Sequence, residues 1–165
     1  MITFKLIGGA MIFISSLIFY FQLQKHEQEK LKQAKGFILL LKYIKNQIAC
    51  FSLPITEIIS RCDKKIFSDC GISPDFSPNA SRGDILPELV ANTNRHIDDE
   101  AFFIIERFAN EFGKTYLEEQ LRSCDYYIYE LEKYKNKIEA EIPKERKIRF
   151  ALCFSISASI ILLLM

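Results

Sequence analysis

Tryptophan is absent from this chain, histidine occurs twice, and no glycine-rich motif for phosphate binding or nucleophilic catalysis is present. The patterns GxxxxGK[ST], GxGxxG and GxSxG, typical of P-loops, dinucleotide-binding turns and nucleophile elbows, do not occur. His26 and His96 have no patterned cysteine or carboxylate partner, so we interpret both as surface residues. The sequence therefore favours a protein that is not an enzyme and that holds no cofactor or metal.

The cysteine pattern matches neither a disulfide framework nor a zinc site. The number is odd and no two cysteines have C-x-x-C spacing. The five are Cys50, Cys62, Cys70, Cys124 and Cys153. We expect reduced thiols that act as small apolar residues, which agrees with a cytoplasmic location.

Excess charge of either sign is also missing. The chain has 22 basic and 21 acidic residues, and setting aside Lys5, which lies in the first hydrophobic run, leaves 21 of each. A domain with no net charge has no general attraction for nucleic acid, so we expect no nucleic-acid partner.

Both ends of the chain are hydrophobic. Residues 4–23 would make a helix of about 30 Å, which matches a bilayer core. The alternative is a cleaved signal peptide, but the apolar run continues through Phe21 without an Ala-x-Ala site. Residues 150–165 carry no charge and would make a helix of about 24 Å. A second span is favoured over a buried core helix because the run is apolar on every side.

Basic residues flank both runs on the side of the intervening chain. The flanking set is Lys25, Lys30, Lys144, Arg146, Lys147 and Arg149. By the positive-inside rule, residues 25–149 form a cytoplasmic domain between membrane helices at 2–24 and 150–165, and both termini face outward. The same basic residues suit anionic lipid headgroups.

Helical periodicity dominates the middle of the chain. Apolar stripes predict helices over residues 25–51, 55–67 and 84–91, followed by one over 98–112 and a long one from residue 115. Residues 68–83 are rich in glycine, proline and serine and are predicted to be a loop. Asp98, Asp99 and Glu100 are interpreted as helix-capping residues rather than a metal site. No segment alternates like a strand.

The fold predicted from these patterns is all-α. The first and last long helices carry matching apolar stripes, so we expect them to pair in an antiparallel bundle that the shorter helices complete, flanked by the two transmembrane helices. Thr115 and Glu118 fit a capping box, Gly113 fits a helix end, and Pro143 predicts a kink.

A tyrosine-rich stretch marks a candidate partner surface. It holds more aromatic side chains than one apolar stripe needs to bury, and tyrosine and arginine are favoured in protein interfaces. The residues are Arg122, Tyr126, Tyr127 and Tyr129. The alternative is that these tyrosines belong to the core.

The order of these features resembles the stage III sporulation protein AB family of endospore-forming bacteria. The similar segments are the LLL helix at residues 39–41, PITE at 54–57, FIIERFANEFG at 103–113, EQL at 119–121 and the terminal ILLLM. The chain departs from the family pattern in residues 68–94 and after Gly113, where Lys114 and Thr115 replace a leucine-glycine step.

This resemblance implies a membrane protein of the mother cell in a secretion-like channel complex between mother cell and forespore. It also implies a helical domain similar to that of the type II secretion platform protein. Expected partners are other membrane proteins of the channel complex and the cytoplasmic ATPase of the same operon. We therefore expect a non-enzymatic platform. The alternative is a membrane-anchored ligand-binding or regulatory module, for which a closed apolar pocket with converging polar groups would argue.

Overall fold

A computed structural model describes residues 2–73 and 85–164. The described chain is helical, as predicted, and its only extended pairing is a single antiparallel bridge between Ile72 and Thr93. The helices are α1 (Ile2–Phe51), α2 (Ile55–Ser60), α3 (Lys64–Cys70), α4 (Ile85–Ala91), α5 (Asp99–Glu111) and α6 (Leu117–Leu164). Residues 74–83 of the predicted loop, and Asp84, the first residue of the predicted helix over 84–91, lie outside the described residues.

The predicted helix over residues 55–67 is two helices. Arg61 ends α2, and the Asp63 carboxylate accepts a hydrogen bond of 2.8 Å from the Lys65 amide to begin α3. In a continuous helix the Lys65 amide would bond to a backbone carbonyl, and here the Asp63 side chain takes the place of that carbonyl. The chain can therefore turn at this point while the apolar stripe continues. Helix α3 continues to Cys70, three residues beyond the predicted end.

Across the described residues, no helix has a stretch both long and apolar enough to cross a membrane. The two transmembrane helices stay a prediction.

The chain divides into two compact units. The terminal unit joins Met1–Gln28 to Ile138–Met165, and the central unit is Glu29–Lys137. Helices α1 and α6 each contribute to both units. All but one of the buried apolar side chains of the described residues lie in the central unit, and the exception is Ile138, at the boundary.

In the central unit, α1 and α6 run antiparallel. Lys42 pairs with Glu132 at 2.6 Å and Lys45 with Asp125 at 2.5 Å, so residue numbers rise on one helix as they fall on the other. The predicted α1 stripe is buried from Ala34 to Ile48. On α6, Cys124, Ile128 and Leu131 are buried, whereas Leu117 is 44% exposed because it begins the helix at a corner.

A buried glutamine joins α1 to the end of α3 and to the connection between α4 and α5. The Gln33 amide nitrogen donates to the carbonyl oxygens of Cys70 and Asn94, each at 2.7 Å. Its oxygen accepts from the amides of His96 and Ile97, at 2.7 and 3.0 Å. Gln33 is 1% exposed and all its hydrogen-bonding capacity is used, so burial of this polar side chain carries no unpaired group.

Gly36 allows α1 to approach α3 closely. A Cβ at this position would lie 2.7 Å from the backbone carbonyl carbon of Asp69. Gly71 has a φ of 77° at the end of α3, a left-handed conformation that favours glycine.

The start of α5 differs in one detail from the predicted cap. Asp98 is the N-cap residue, but its side chain makes no capping hydrogen bond. Its carboxylate instead accepts from the Tyr134 hydroxyl at 3.0 Å and pairs with the Lys30 ammonium. Asp99 and Glu100 occupy the first turn as predicted, and Gly113, with a φ of 84°, follows the C-cap Phe112.

The terminal unit pairs the outer parts of α1 and α6. The Ser16 hydroxyl donates to the Cys153 carbonyl at 3.3 Å, and the Tyr20 ring lies 5.6 Å from the Phe150 ring. Ser157 is buried, whereas Ile14 and Ile156 are 55% and 58% exposed. The inner face combines serine hydroxyls with aromatic rings, and the outer face carries exposed apolar side chains, where a water-soluble helix pair carries polar ones. Helix α6 passes through Pro143.

Candidate partner-binding groove

An open groove of about 630 Å³ lies where the end of α5 meets the first turns of α6 in the central unit. The chain reverses at Gly113, and α6 begins at Leu117. The predicted capping box at Thr115 does not begin α6, which starts at Leu117 after Tyr116. The Glu119 and Gln120 amides donate to the Tyr116 carbonyl, and the Gln120 side chain donates to the Thr115 carbonyl at 2.6 Å. The groove is lined by Arg107, Glu111, Lys114, Thr115, Glu119, Arg122, Ser123, Tyr126 and Tyr127.

Glu111 is the polar anchor of this groove. One carboxylate oxygen accepts from the Tyr127 hydroxyl, and the other from Arg107 at 3.2 Å. The hydrogen bond from Tyr127 is the main cause that holds the pKa of Glu111 below its ordinary value, and Arg107 lowers this pKa further. Glu111 is therefore ionised at neutral pH, with its charge matched by a neighbour on the same helix.

Tyr127 holds the floor of the groove in place. Its ring is 3% exposed and lies edge-on to Phe108, with ring centres 5.6 Å apart. Burial, followed by the hydrogen bond to Glu111, raises the pKa of the Tyr127 hydroxyl to about 12. The hydroxyl is therefore a stable donor and not a candidate base at neutral pH.

A chain of aromatic contacts connects the buried Phe108 through Tyr127 to the exposed Tyr126 on the wall of the groove. Phe112 lies 5.2 Å from Phe108, and Tyr126 lies 5.2 Å from Tyr127 in an edge-to-face arrangement. Tyr126 is 55% exposed. An exposed aromatic side chain is thus held by buried ones, which reduces the conformational entropy it would lose on contact with a partner.

The structure divides the predicted partner surface into two parts. Arg122, Tyr126 and Tyr129 are exposed and follow one another at steps of four and three residues, which places them on one stripe of α6. Arg122 and Tyr126 line the groove and Tyr129 continues the stripe beyond it. Tyr127 is a core residue through its ring and reaches the groove through its hydroxyl.

Sequence reasoning missed Arg107, Glu111, Lys114 and Glu119 as groove residues. Arg107 and Glu111 are four residues apart on α5, and this spacing predicts an ion pair. It does not predict which other element packs beside that pair. Lys114 lies in the corner where the sequence departs from the family pattern. No signal in the sequence joins these residues to the stripe on α6.

The predicted headgroup-binding residues have different surroundings. In the central unit, Lys30 is mostly buried and pairs with Asp98. In the terminal unit, Arg149 pairs with both Glu27 and Glu145. Lys25, Lys144 and Lys147 are exposed, and Arg146 is half-buried.

His96 and three thiols of the central unit are packed into the fold. His96 is half-buried, its amide bonds Gln33, and its ring nitrogen lies 3.7 Å from Glu29. Burial raises the pKa of the Cys62 and Cys124 thiols to about 11 and that of Cys70 still further. These thiols stay protonated and unreactive at neutral pH. His26 is exposed in the terminal unit.

The family described as stage III sporulation protein AB matches residues 5–165, which is nearly the whole chain and includes both hydrophobic ends and the groove. Neither a curated protein nor a solved structure matches the sequence.

Proposed function

Because the chain belongs to the stage III sporulation protein AB family, and is therefore a sporulation protein, we propose that it is a membrane-anchored platform in the channel complex between mother cell and forespore. In this role it binds other proteins and catalyses no reaction. The terminal unit holds it at the mother-cell membrane, with the central unit in the cytoplasm and both termini outward.

The observation that carries this proposal is the contrast between the surfaces of the two units. In the terminal unit, large apolar side chains such as Ile14 and Ile156 are exposed, and the Ser16 hydroxyl reaches the opposite helix. Outward apolar side chains suit lipid, because water would solvate them at a cost of about 25 cal/mol per Å². In the central unit most of the apolar side chains are packed inside, as in a domain that works in water.

The groove supports a protein partner over a small molecule. A site for a small ligand is usually concave, enclosed and mostly apolar, with few polar groups. The groove on the α5–α6 corner is open, and five of its nine lining residues are charged. The regulatory, ligand-binding alternative therefore has less support than a docking surface for neighbouring channel proteins or for the ATPase of the same operon.

Isolation from sporulating cells tests the platform proposal. A tagged chain is purified from detergent-solubilised membranes, and the proteins bound to it are identified by mass spectrometry. We expect the ATPase of the operon and further membrane proteins of the channel. Normal spore formation in a strain that lacks this chain would contradict the proposal.

A pair of variants tests the membrane anchor separately. Ile14→Lys together with Ile156→Lys places charges on the outward apolar faces, each at a cost of about 2.5–3.5 kcal/mol at the centre of a bilayer. We expect this variant to leave the membrane fraction. Leu39→Lys changes a side chain of the central unit that is 50% exposed, and it is expected to stay with the membrane.

A further inference from the structure

We propose that the α5–α6 groove binds an acidic segment of a partner protein, with Arg122 and Lys114 holding its carboxylates and Tyr126 packing against its apolar atoms. The inference rests on the platform function proposed above and specifies the chemistry of the partner. It follows from the charges that remain in the groove once the internal pairs are counted, and from the rigidity of the exposed aromatic wall.

The charge of the groove is positive after its internal pair is removed. Arg107 and Glu111 neutralise each other, and the second oxygen of Glu111 is already bonded to Tyr127. Among the lining residues, Lys114, Arg122 and Glu119 remain and sum to +1, and Glu118, which does not line the groove, lies 4.0 Å from Arg122. A segment with several carboxylates complements this charge, whereas a basic segment would meet two cations.

Arg122 has hydrogen-bonding capacity for such a partner. Its contact with Glu118 is 4.0 Å long, and the two side chains are 79% and 91% exposed. An ion pair this exposed contributes little, because water competes with it. A guanidinium has five N–H donors, and a carboxylate of a partner can accept from two of them at once. Binding would also shield this bidentate pair from water.

Tyr126 gives the groove a rigid apolar surface beside these charges. The ring is exposed but is held edge-on by Tyr127, which is fixed in turn by Phe108 and Glu111. Contacts between proteins draw most of their free energy from tyrosine and arginine residues in such settings. Because Arg122 and Tyr126 are four residues apart on one helix, a single segment can meet both.

Synthetic peptides test this assignment on the full-length chain in uncharged detergent micelles. Three labelled 14-residue peptides share leucine and alanine positions and differ only in carrying glutamate, glutamine or lysine at the others. Binding is followed by fluorescence anisotropy. We expect the glutamate peptide to bind at least about tenfold more tightly than the glutamine peptide, and to weaken as salt is raised, because exposed charges are screened.

Charge reversal locates the binding site. Lys114→Glu with Arg122→Glu should weaken the glutamate peptide at least about tenfold and strengthen the lysine peptide. The matched control, Lys64→Glu with Lys65→Glu, makes the same change of charge on exposed residues of α3 and should leave both affinities within about twofold. Tyr126→Ala should weaken the glutamate peptide by about fivefold or more, since tyrosine hot spots exceed 1 kcal/mol.

Several outcomes would overturn the assignment. Equal binding of the glutamate and glutamine peptides would show that charge does not select the partner. Equal loss in the α5–α6 variant and the α3 control would show a general charge effect. Binding of vesicles containing phosphatidylserine, lost in the groove variant while the glutamate peptide fails to bind, would assign the groove to lipid. If the groove variant still isolates the wild-type partners from cells, the groove assignment fails and the platform function stands. If the wild-type chain isolates none, the platform function itself fails.

Discussion

Replacement of Gln33 by alanine is expected to destabilise the central unit more than any exposed substitution on α1. The Gln33 side chain makes hydrogen bonds with four backbone groups, one at the end of α3 and three between α4 and α5, 37 to 64 residues away in sequence. Alanine would leave the carbonyls of Cys70 and Asn94 and the amides of His96 and Ile97 without this partner. It would also leave a cavity where a fully packed side chain had been.

The magnitude follows from which of these groups water can reach. The bonds to the Cys70 carbonyl and from the Ile97 amide are buried, and those to Asn94 and from His96 are partly buried. An orphaned buried group costs about 1–3 kcal/mol, and a partly buried one less, because water replaces the lost bond. We expect a loss of about 3–5 kcal/mol, a large share of the 5–15 kcal/mol that is typical for a domain.

Urea unfolding of the full-length chain in micelles, followed by circular dichroism, measures this loss. Asn46→Ala, an exposed amide on the same helix, is the matched control and is expected to change stability by less than about 0.5 kcal/mol. Hydrogen exchange adds a local reading, since the amides of His96 and Ile97 should lose protection in Gln33→Ala. A change no greater than that of Asn46→Ala, with both amides still protected, would refute the reasoning.

Three further predictions follow from single contacts and from the shifted pKa values. Gly36→Ala places a Cβ 2.7 Å from the α3 backbone, so the overpacking, which costs about 1–3 kcal/mol, should outweigh the helix-propensity gain of about 1 kcal/mol and lower the stability. Gly8→Ala is the control, because a Cβ there meets nothing within 4 Å, and thermal unfolding should show no loss of stability for it. With Ellman's reagent at pH 8, exposed Cys50 should react in the folded chain, while Cys62, Cys70 and Cys124 should react only after unfolding; early labelling of Cys70 would contradict the packing. The free energy of unfolding should fall as pH rises from about 9 to about 12, because the unfolded chain releases protons from these thiols and from Tyr127 at a lower pH than the folded chain does. Tyr127→Phe should reduce that pH dependence above pH 10. A stability that does not change with pH in urea titrations would show that these groups do not have raised pKa values in the folded chain.

Most of the fold could be predicted from residue spacing. The stripe from Ala34 to Ile48 and the run from Cys124 to Leu131 recur at helical period because burial of one face of a helix imposes that period. The break between α2 and α3 could not be predicted in this way. At this break the backbone of Asp63 is extended and its side chain accepts a hydrogen bond from the Lys65 amide, and the apolar pattern does not change. The role of Gln33 was also hidden, because its partners are backbone groups that only the folded chain brings near.

The candidate site was predictable in part. Arg122, Tyr126 and Tyr129 share a stripe that the sequence displays directly. The sequence does not show which side of this stripe faces the core. Adjacent tyrosines on a helix point about 100° apart, and the pattern alone does not say which of Tyr126 and Tyr127 is buried. The α5 side of the groove required the tertiary fold, because Arg107 and Glu111 reach the α6 stripe only after the chain turns at Gly113.

The central claim is that the outward apolar faces of the terminal unit contact lipid while the central unit contacts water and proteins. Nitroxide labels at Ile14, Ile156, Leu39 and Tyr129 test it most directly, in the full-length chain in lipid nanodiscs with Cys50 and Cys153 replaced by alanine. Collisions with oxygen and with a water-soluble nickel complex are measured by electron paramagnetic resonance. The account predicts that labels at Ile14 and Ile156 meet oxygen and are shielded from nickel, and that labels at Leu39 and Tyr129 show the reverse. Equal access of nickel to all four positions would contradict it.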